Sequence, residues 1–200
     1  MQKPVELETE RLILRQWKDA DSGPFAALCA DAKVMEFFPS TLSREESDAM
    51  VGRCRGLIEE RGWGLWAVES KVTQGFMGFV GLHIAPADLP FSPCVEIGWR
   101  LSEEYWGTGY ATEAAQASLE FGFRNLNLQE IVSFTAILNQ RSQAVMKRIG
   151  MRQTGTFEHP RVPEGHRLRA HCLFRISREA HQERVSAGNR SLQPHKGLKV

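Results

Sequence analysis

The sequence lacks an excess of either charge. Among 200 residues, 25 Lys and Arg stand against 24 Asp and Glu, so the formal net charge is +1. A balance this close to neutral gives no electrostatic reason to expect a nucleic acid or an acidic membrane as a partner. No apolar run approaches the roughly 20 residues of a membrane-spanning helix. The charged N-terminal stretch MQKPVELETERL also lacks the hydrophobic segment of a signal peptide.

Cysteine is scarce as well. The four cysteines are scattered: Cys29, Cys54, Cys94 and Cys172. No two of them have the spacing of zinc ligands, and a domain of this size does not need disulfides. Four of the histidines are spread in the same way: His83, His159, His166 and His171. The sequence therefore predicts no metal site, and a reduced cytoplasmic compartment is the simplest expectation.

The order of the predicted elements indicates one mixed α/β (α+β) domain. A hydrophobic content of 42% is enough for one buried core. Strands are expected at residues 11–17, 63–70, 75–85, 93–102, 130–138, 152–159 and 168–177, and helices near residues 21–29, 44–60, 109–126 and 139–151. Ser43 and Glu46 have the spacing of a capping box before the second helix. We expect the domain to span residues 1–178. The polar composition after it predicts a flexible C-terminal tail at residues 179–200, whose start could instead extend the structure of the domain.

The stretch YWGTGYATEA, residues 105–114, joins glycines to aromatic residues where a helix begins. Glycine permits positive φ and lets a ligand approach the backbone closely. A helix N-terminus also presents unpaired N–H groups that favour an anion such as phosphate. The groups in question belong to Gly107, Thr108, Gly109, Tyr110, Ala111 and Thr112, none of them a Lys or Arg. An ordinary strand-to-helix connection would have the same spacing, so spacing alone leaves both readings open.

Two other nucleotide-binding loops fit this turn poorly. A Walker A loop is excluded because no Gly-Lys-Ser/Thr follows. A dinucleotide fingerprint needs a third Gly or Ala where this chain has Thr112, and an acidic residue at the end of the next strand. Glu130 stands at the start of that strand instead. A nucleotide-dependent oxidoreductase is therefore a weak alternative.

The segment EIGWRLSEEYWGTGYATEA resembles the acyl-CoA-binding segment of the Gcn5-related N-acetyltransferase (GNAT) superfamily. It is most similar to the branch of the ribosomal-protein serine/alanine N-terminal acetyltransferases. The superfamily pattern is Arg/Gln-x-x-Gly-x-Gly/Ala, and Trp106, Gly109 and Ala111 occupy its defined positions here. Trp106 departs from the broad pattern and leaves backbone amides to hold the pyrophosphate. ETERLILR and NQRSQAVMKRIGM resemble two further segments in the family's order, so the resemblance covers about residues 8–176.

The resemblance implies both a fold and an activity. The fold would have a mixed central sheet of six or seven strands, splayed between the fourth and fifth strands and flanked by about four helices. The activity would be acetyl transfer from acetyl-CoA to a primary amine by direct attack in a ternary complex. The branch favours the N-terminal amine of a protein, while polyamines, amino acids and drugs are acceptors elsewhere in the superfamily. Dimers are frequent in the family, so a homodimer is a further expectation.

The resemblance also assigns residues to the site. Glu96 would be the general base, and an unpaired carboxylate in its apolar strand would be unfavourable; a purely structural glutamate is the alternative. A backbone N–H late in the same strand would meet the oxyanion. Ser142 is the hydroxyl left near the thiolate because Met146 replaces the tyrosine of many relatives, although Ser142 could simply touch the cofactor. The residues assigned to acetyl-CoA are Trp99, Arg100, Leu101, Trp106, Gly107, Thr108, Gly109, Tyr110, Ala111, Thr112, Asn139 and Ser142.

Met146 motivates a second hypothesis from a different class. Because its side chain cannot donate a proton, the chain could be a catalytically silent CoA-binding sensor or interaction module. Aromatic residues at Phe37, Phe38, Trp63 and Trp66 could line an apolar acceptor pocket, and core packing would explain them equally well. His83 follows GFVGL within the predicted central strand at residues 75–85 and could border the same pocket.

Overall fold

Eight strands of the computed structural model form one sheet in the order β1-β2-β3-β4-β5-β6-β8-β7. The structure describes residues 3–191. The strands are β1 Leu7–Glu8, β2 Leu12–Arg15, β3 Leu65–Ser70, β4 Phe76–Ile84, β5 Val95–Leu101, β6 Glu130–Ala136, β7 Arg152–Glu158 and β8 Ala170–Ser177. The helices are α1 Ser22–Ala30, α2 Arg44–Arg61, α3 Tyr110–Arg124, α4 Gln140–Arg148 and α5 Arg178–Ser191. No helix in residues 3–191 is both long and apolar enough to cross a membrane.

Local signals position the helix ends. The predicted capping box at α2 is present, because the Ser43 side chain accepts from the Glu46 backbone N–H while the Glu46 carboxylate accepts from the Ser43 N–H. Gly62 ends the same helix with φ +82°. Asn139 caps α4 through its side chain. These short-range contacts explain why the sequence predicts the helix boundaries closely.

Helices cover both faces of the sheet. Trp66 on β3 is fully buried and packs edge-on against Phe121 of α3, with ring centres 5.4 Å apart. Phe79 on β4 points to the opposite face, because side chains alternate along a strand, and it packs against Phe25 of α1 at 6.0 Å. Thus α3 lies on one face and α1 on the other. This two-faced packing buries the core of the domain.

The sheet splays between β5 and β6, as the resemblance implied. These two strands are parallel and pair only through Glu96 and Val132, whereas β4 and β5 form a long antiparallel ladder. The Ser133 hydroxyl bridges the two strands by donating to the Ile97 carbonyl at 2.9 Å. Beyond that point β5 has a free edge, which makes room for a ligand between the strands.

The structure differs from expectation at its two ends. The sheet has eight strands because Leu7–Glu8 adds a short strand β1 at one edge. Residues 179–191, expected as a flexible tail, belong to α5. His181 is buried there, with Nε2 2.7 Å from a Glu120 oxygen of α3 and its ring centre 5.0 Å from that of Phe123. The segment has little apolar periodicity, so this polar anchoring leaves no signal in its composition. The remainder of the expected tail, residues 192–200, lies outside the described residues.

Candidate active site

A cavity of about 1190 Å³ opens where β5 and β6 diverge. Its walls are β5, the turn before α3, the start of α4, the loop between α1 and α2, and the loop between β7 and β8. Small-molecule sites typically measure about 300–1,000 Å³. The cavity is therefore large enough for two molecules to meet in it.

The glycine turn forms one end of this cavity. Gly107 and Gly109 have φ values of +76° and +86°, and α3 begins at Tyr110. None of the backbone N–H groups of residues 107–112 donates a hydrogen bond to another described residue. A Cβ atom at Gly107 would meet no atom within 4 Å, and one at Gly109 only Arg11 Nη2 at 3.5 Å. This arrangement of free N–H groups at a helix start suits an anion such as a pyrophosphate.

The aromatic rings of the turn have specific partners. The Trp106 indole N–H donates to the Leu101 carbonyl at 2.8 Å, which ties the turn to β5. Arg141 of α4 lies over the Trp106 ring at 4.5 Å, and Arg11 lies over the Tyr110 ring at 4.4 Å. Both distances are typical of cation–π contacts. Trp106 and Tyr110 thus hold two arginines beside the turn.

Neither arginine is among the site residues that we predicted from the sequence. Arg11 donates to the Thr108 carbonyl at 3.1 Å and pairs with Glu113 at 2.6 Å. Both Arg11 and Arg141 come from segments distant from the turn in the sequence, and no motif links them to it. Both are paired with carboxylates, Arg11 with Glu113 and Arg141 with Glu36 at 2.8 Å, so they bring guanidinium N–H donors to the turn rather than an unpaired charge.

The edge of β5 that faces β6 is open along the cavity. Because the Ile97 carbonyl accepts from Ser133, that edge carries the backbone groups of Ile97, and alternation gives it those of Trp99 and Leu101 as well. No β6 residue pairs with β5 beyond Glu96. The Trp99 and Leu101 N–H groups therefore point into the splay. They can pair with an extended amide-containing chain.

Arg100 was expected to contact acetyl-CoA, but its backbone does not face the splay between β5 and β6. Its backbone faces β4, and its side chain points to the face of α1 and α2, where it lines the cavity with only 8% exposure. Nη1 donates to Cys29 Sγ at 3.1 Å, and the guanidinium lies 4.2 Å from the Phe38 ring centre. Burial lowers the pKa of Arg100, and Cys29 offsets this only partly. The predicted backbone contact to the cofactor thus fits Trp99 and Leu101 rather than Arg100.

Glu96 lies in the cavity wall with a histidine partner. His83 is its cross-strand neighbour on β4, and His83 Nε2 lies 3.0 Å from Glu96 Oε2. His83 Nδ1 lies 3.2 Å from the Ile84 carbonyl. Both ring nitrogens therefore face oxygen acceptors, which favours the doubly protonated ring. Burial alone lowers the pKa of His83, but the Glu96 hydrogen bond and charge outweigh it and the pKa is raised.

Asn139 and Ser142 lie together at the start of α4. Asn139 Oδ1 accepts from the Ser142 N–H at 3.1 Å, and Nδ2 donates to Thr135 Oγ1 at 3.0 Å and to Ser142 Oγ at 3.1 Å. The Asn139 amide therefore caps the helix, and a contact with a cofactor would replace one of these bonds. Ser142 and Met146 also line the cavity, and Met146 carries no proton to donate.

Of the aromatic residues expected to line an acceptor pocket, some lie in the cavity and others in the core. Phe37 and Phe38 line the cavity, whereas Trp66 belongs to the core against α3. His159 and His171, which are scattered in the sequence, have ring centres 4.8 Å apart and also line the cavity. Burial lowers the pKa of both histidines. Across residues 3–191, no three His, Cys, Asp or Glu side chains are grouped to hold a metal ion.

The chain is similar to known acetyltransferases over most of its length. Residues 11–152 match the family described as the acetyltransferase (GNAT) domain. A Bacillus subtilis protein named uncharacterized N-acetyltransferase YnaD is 30% identical over 162 residues, which are 80% of this chain and 90% of that protein. A GNAT-family acetyltransferase from Bacillus anthracis superposes with a TM-score of 0.74 at 26% identity, covering 88% and 99% of the two chains. The ribosomal-protein-S5-alanine acetyltransferase of Vibrio fischeri shares the fold, with a TM-score of 0.70 at 20% identity over 88% and 97%.

Proposed function

This chain belongs to the acetyltransferase (GNAT) domain family and is an N-acetyltransferase, and we propose that it moves an acetyl group from acetyl-CoA to a primary amine by direct attack in a ternary complex. The observation that carries the proposal is the row of unpaired N–H groups at residues 107–112, at one end of the cavity between β5 and β6. We assign the activity to a domain of residues 1–178.

Acetyl-CoA supplies an acyl thioester and a pyrophosphate. The turn at residues 107–112 would bind the pyrophosphate through its N–H groups, and the nearby Arg11 and Arg141 would add guanidinium N–H donors. The open edge of β5 would pair with the amide-rich arm of the cofactor as an added strand does. The free Leu101 N–H group supports this placement, and the Trp99 N–H is left for the acetyl group.

The backbone N–H of Trp99 is suited to stabilise the oxyanion. It points into the splay, and a fixed N–H donor near developing charge lowers the barrier to acyl transfer. Ser142 lies on the opposite wall and could hold the proton that the thiolate takes up. Its hydroxyl oxygen accepts from Asn139, which leaves the O–H free to point at the sulfur, and water is the alternative proton source.

Glu96 and His83 together would remove the proton of the acceptor. The acceptor enters as an ammonium ion, and the Glu96–His83 pair accepts one proton to give the neutral amine. The amine nitrogen then bonds to the acetyl carbon as the carbon–sulfur bond breaks. The second proton leaves the nitrogen, and the thiolate takes one up. The balance is one acetyl amide, one free thiol and one proton released to solvent.

The N-terminal amine of a protein is one acceptor class for this chemistry. It is supported by the resemblance of the glycine turn to the ribosomal-protein branch and by the shared fold of the S5-alanine acetyltransferase. Small amines are the alternative class, because the loops that shape the acceptor side are outside the matching motifs. Thiol release measured with peptides and with small amines distinguishes the two acceptor classes.

The test is a thiol-release assay with acetyl-CoA. Peptides that begin with Ser, Ala or Met are compared with polyamines, amino acids and aminoglycosides, and thermal shift with acetyl-CoA and CoA is measured in parallel. We expect stabilisation by both cofactors and thiol release with at least one amine class. Stabilisation without thiol release would favour the silent CoA-binding module. Stabilisation by NAD(P) alone would overturn the proposal.

A further inference from the structure

Two arginines are buried among residues 3–187, and only one of these two has acidic partners. Arg15 on β2 is held by both Asp21 oxygens at 2.7 and 2.9 Å and by Glu69 at 2.6 Å. Arg100 on β5 is equally buried, yet it forms no ion pair with any carboxylate of residues 3–191 and its buried Nε has no hydrogen-bond partner. An unpaired buried cation is strongly unfavourable. Arg100 is therefore a cationic group in need of an anion.

The surroundings of Arg100 are apolar on the protein side and open on the cavity side. The Phe38 and Phe79 ring centres lie 4.2 and 5.5 Å from its guanidinium carbon. Within residues 3–191, the one hydrogen bond of its side chain goes to the weak acceptor Cys29 Sγ. A guanidinium presents a planar set of donors that matches a carboxylate in two-point contact. The aromatic rings would exclude water from such a contact.

The strand register places Arg100 on the same face as the proposed base. Three successive cross-strand pairs on that face are His83 with Glu96, Gly81 with Gly98, and Phe79 with Arg100. The middle pair has no side chain. A Cβ atom at Gly98 would meet nothing within 4 Å, so open space connects the Glu96–His83 pair with the region of Arg100. A ligand lying along β5 can therefore contact both.

We propose that the acceptor is an amine that also bears a carboxylate: the carboxylate binds Arg100 while the amine lies beside Glu96 and His83. This rests on the proposed acetyl transfer and specifies its acceptor. Glu96 and Arg100 are four residues apart, or about 13 Å between Cα atoms. Their side chains shorten that span, so the acceptor should have several bonds between its amine and carboxylate. A free ω-amino acid and a peptide with Asp or Glu beside its N-terminal residue both supply this chemistry.

Matched acceptor pairs test the proposal. Thiol release is measured for ω-amino acids of four to six carbons and for their amides, and for peptides beginning Ser-Glu and Ser-Gln. We expect the carboxylate member of at least one pair to have a kcat/KM about tenfold or more above its neutral partner. A preference within the amino acids identifies a small acceptor, and one within the peptides identifies a protein acceptor. Equal rates within every pair would overturn the proposal.

Arg100→Met is the decisive variant, with Arg44→Met on the exposed face of α2 as its control. Arg100→Met should bring the ratio of kcat/KM for the carboxylate acceptor to that for its amide down to about one, while the Kd for acetyl-CoA stays the same. Its melting temperature should not fall, because a buried unpaired charge is replaced by an apolar side chain. Equal loss of both acceptor types, or a lowered melting temperature, would indicate a structural arginine and overturn the proposal.

Gly98→Ala gives a second test that leaves Arg100 in place. The added methyl group enters open space between the two ends of the proposed acceptor site, so it should raise the acceptor KM without changing acetyl-CoA affinity or the melting temperature. An unchanged KM for the preferred acceptor would count against the proposal. Failure of the wild-type protein to bind acetyl-CoA would overturn the proposed function, and this acceptor assignment with it. Turnover without any carboxylate preference would overturn only the assignment.

Discussion

Glu96 and His83 lie directly opposite each other on β5 and β4, with a carboxylate oxygen 3.0 Å from Nε2 of the ring. The other ring nitrogen faces the Ile84 carbonyl, so the protonated ring is favoured and the pKa of His83 is raised. A protonated His83 holds the Glu96 carboxylate in an ion pair. Only after His83 loses its proton can the pair accept the proton of an incoming ammonium ion.

The pH dependence of kcat/KM should therefore report His83. We expect activity to rise with pH through an apparent pKa above the ordinary value of about 6.5 for histidine. His83→Gln should remove this midpoint, and Glu96→Gln should lower kcat/KM by about 10²–10⁴-fold. His181→Gln is the matched control, because His181 pairs with Glu120 away from the cavity. A profile in His83→Gln identical to that of the wild type would contradict the assignment.

The same histidine should affect stability in a defined pH window. Because its pKa is raised on folding, its contribution is fully present below the unfolded pKa of about 6.5 and is lost as pH rises through the folded pKa. His83→Gln should thus lower the free energy of unfolding at about pH 5.5 and have little effect at about pH 9. His171, whose pKa is lowered, should show the opposite trend, with its contribution lost at low pH. Urea unfolding at both pH values measures this.

Arg15 should be a major determinant of stability. It is buried against Asp21 and Glu69, so Arg15→Met leaves two carboxylates without their shared cation. We expect a loss of about 3–5 kcal/mol in the free energy of unfolding. Arg44→Met breaks the exposed pair with Asp48 and should lose about 0.5 kcal/mol or less. Similar losses in the two variants by urea unfolding would be inconsistent with this view.

Asn139 should act mainly as a helix cap. Asn139→Ala removes the bond to the Ser142 N–H and should lower the free energy of unfolding by about 1 kcal/mol. Asn139→Asp keeps an acceptor oxygen at the cap and should restore most of that loss. Chemical unfolding of both variants, with the Kd for acetyl-CoA measured alongside, separates capping from cofactor contact. A tenfold weaker Kd in Asn139→Asp with stability intact would show that the amide binds the cofactor.

Features encoded within short segments were predictable from the sequence. The capping box of α2 and the strand pattern depend on neighbours within a few residues, and both are confirmed. The glycine turn was also recognisable, because Gly107 and Gly109 must adopt positive φ just before α3. These features can be predicted without knowing which distant segments of the chain they contact.

Features that depend on register or on distant segments were not predictable. The pairing of Glu96 with His83 requires the alignment of β4 with β5. The burial of Arg100 under Phe38 requires the loop between α1 and α2 to fold over β5. Helix α5 was missed because its buried contact is a polar one, between His181 and Glu120, in a segment whose composition is that of a solvated chain.

The central claim, that the glycine turn binds the pyrophosphate of acetyl-CoA, is tested most directly by calorimetric titration of the wild type and two variants. Gly109→Glu places a carboxylate at the N-terminus of α3, where a phosphate would lie. Gly165→Glu is the matched control, because Gly165 also has positive φ and open space around its Cα but lies in the loop between β7 and β8. We predict saturable one-to-one binding of acetyl-CoA to the wild type and to Gly165→Glu, and none to Gly109→Glu. Equal binding to Gly109→Glu, or no binding to the wild type at millimolar acetyl-CoA, would contradict the claim.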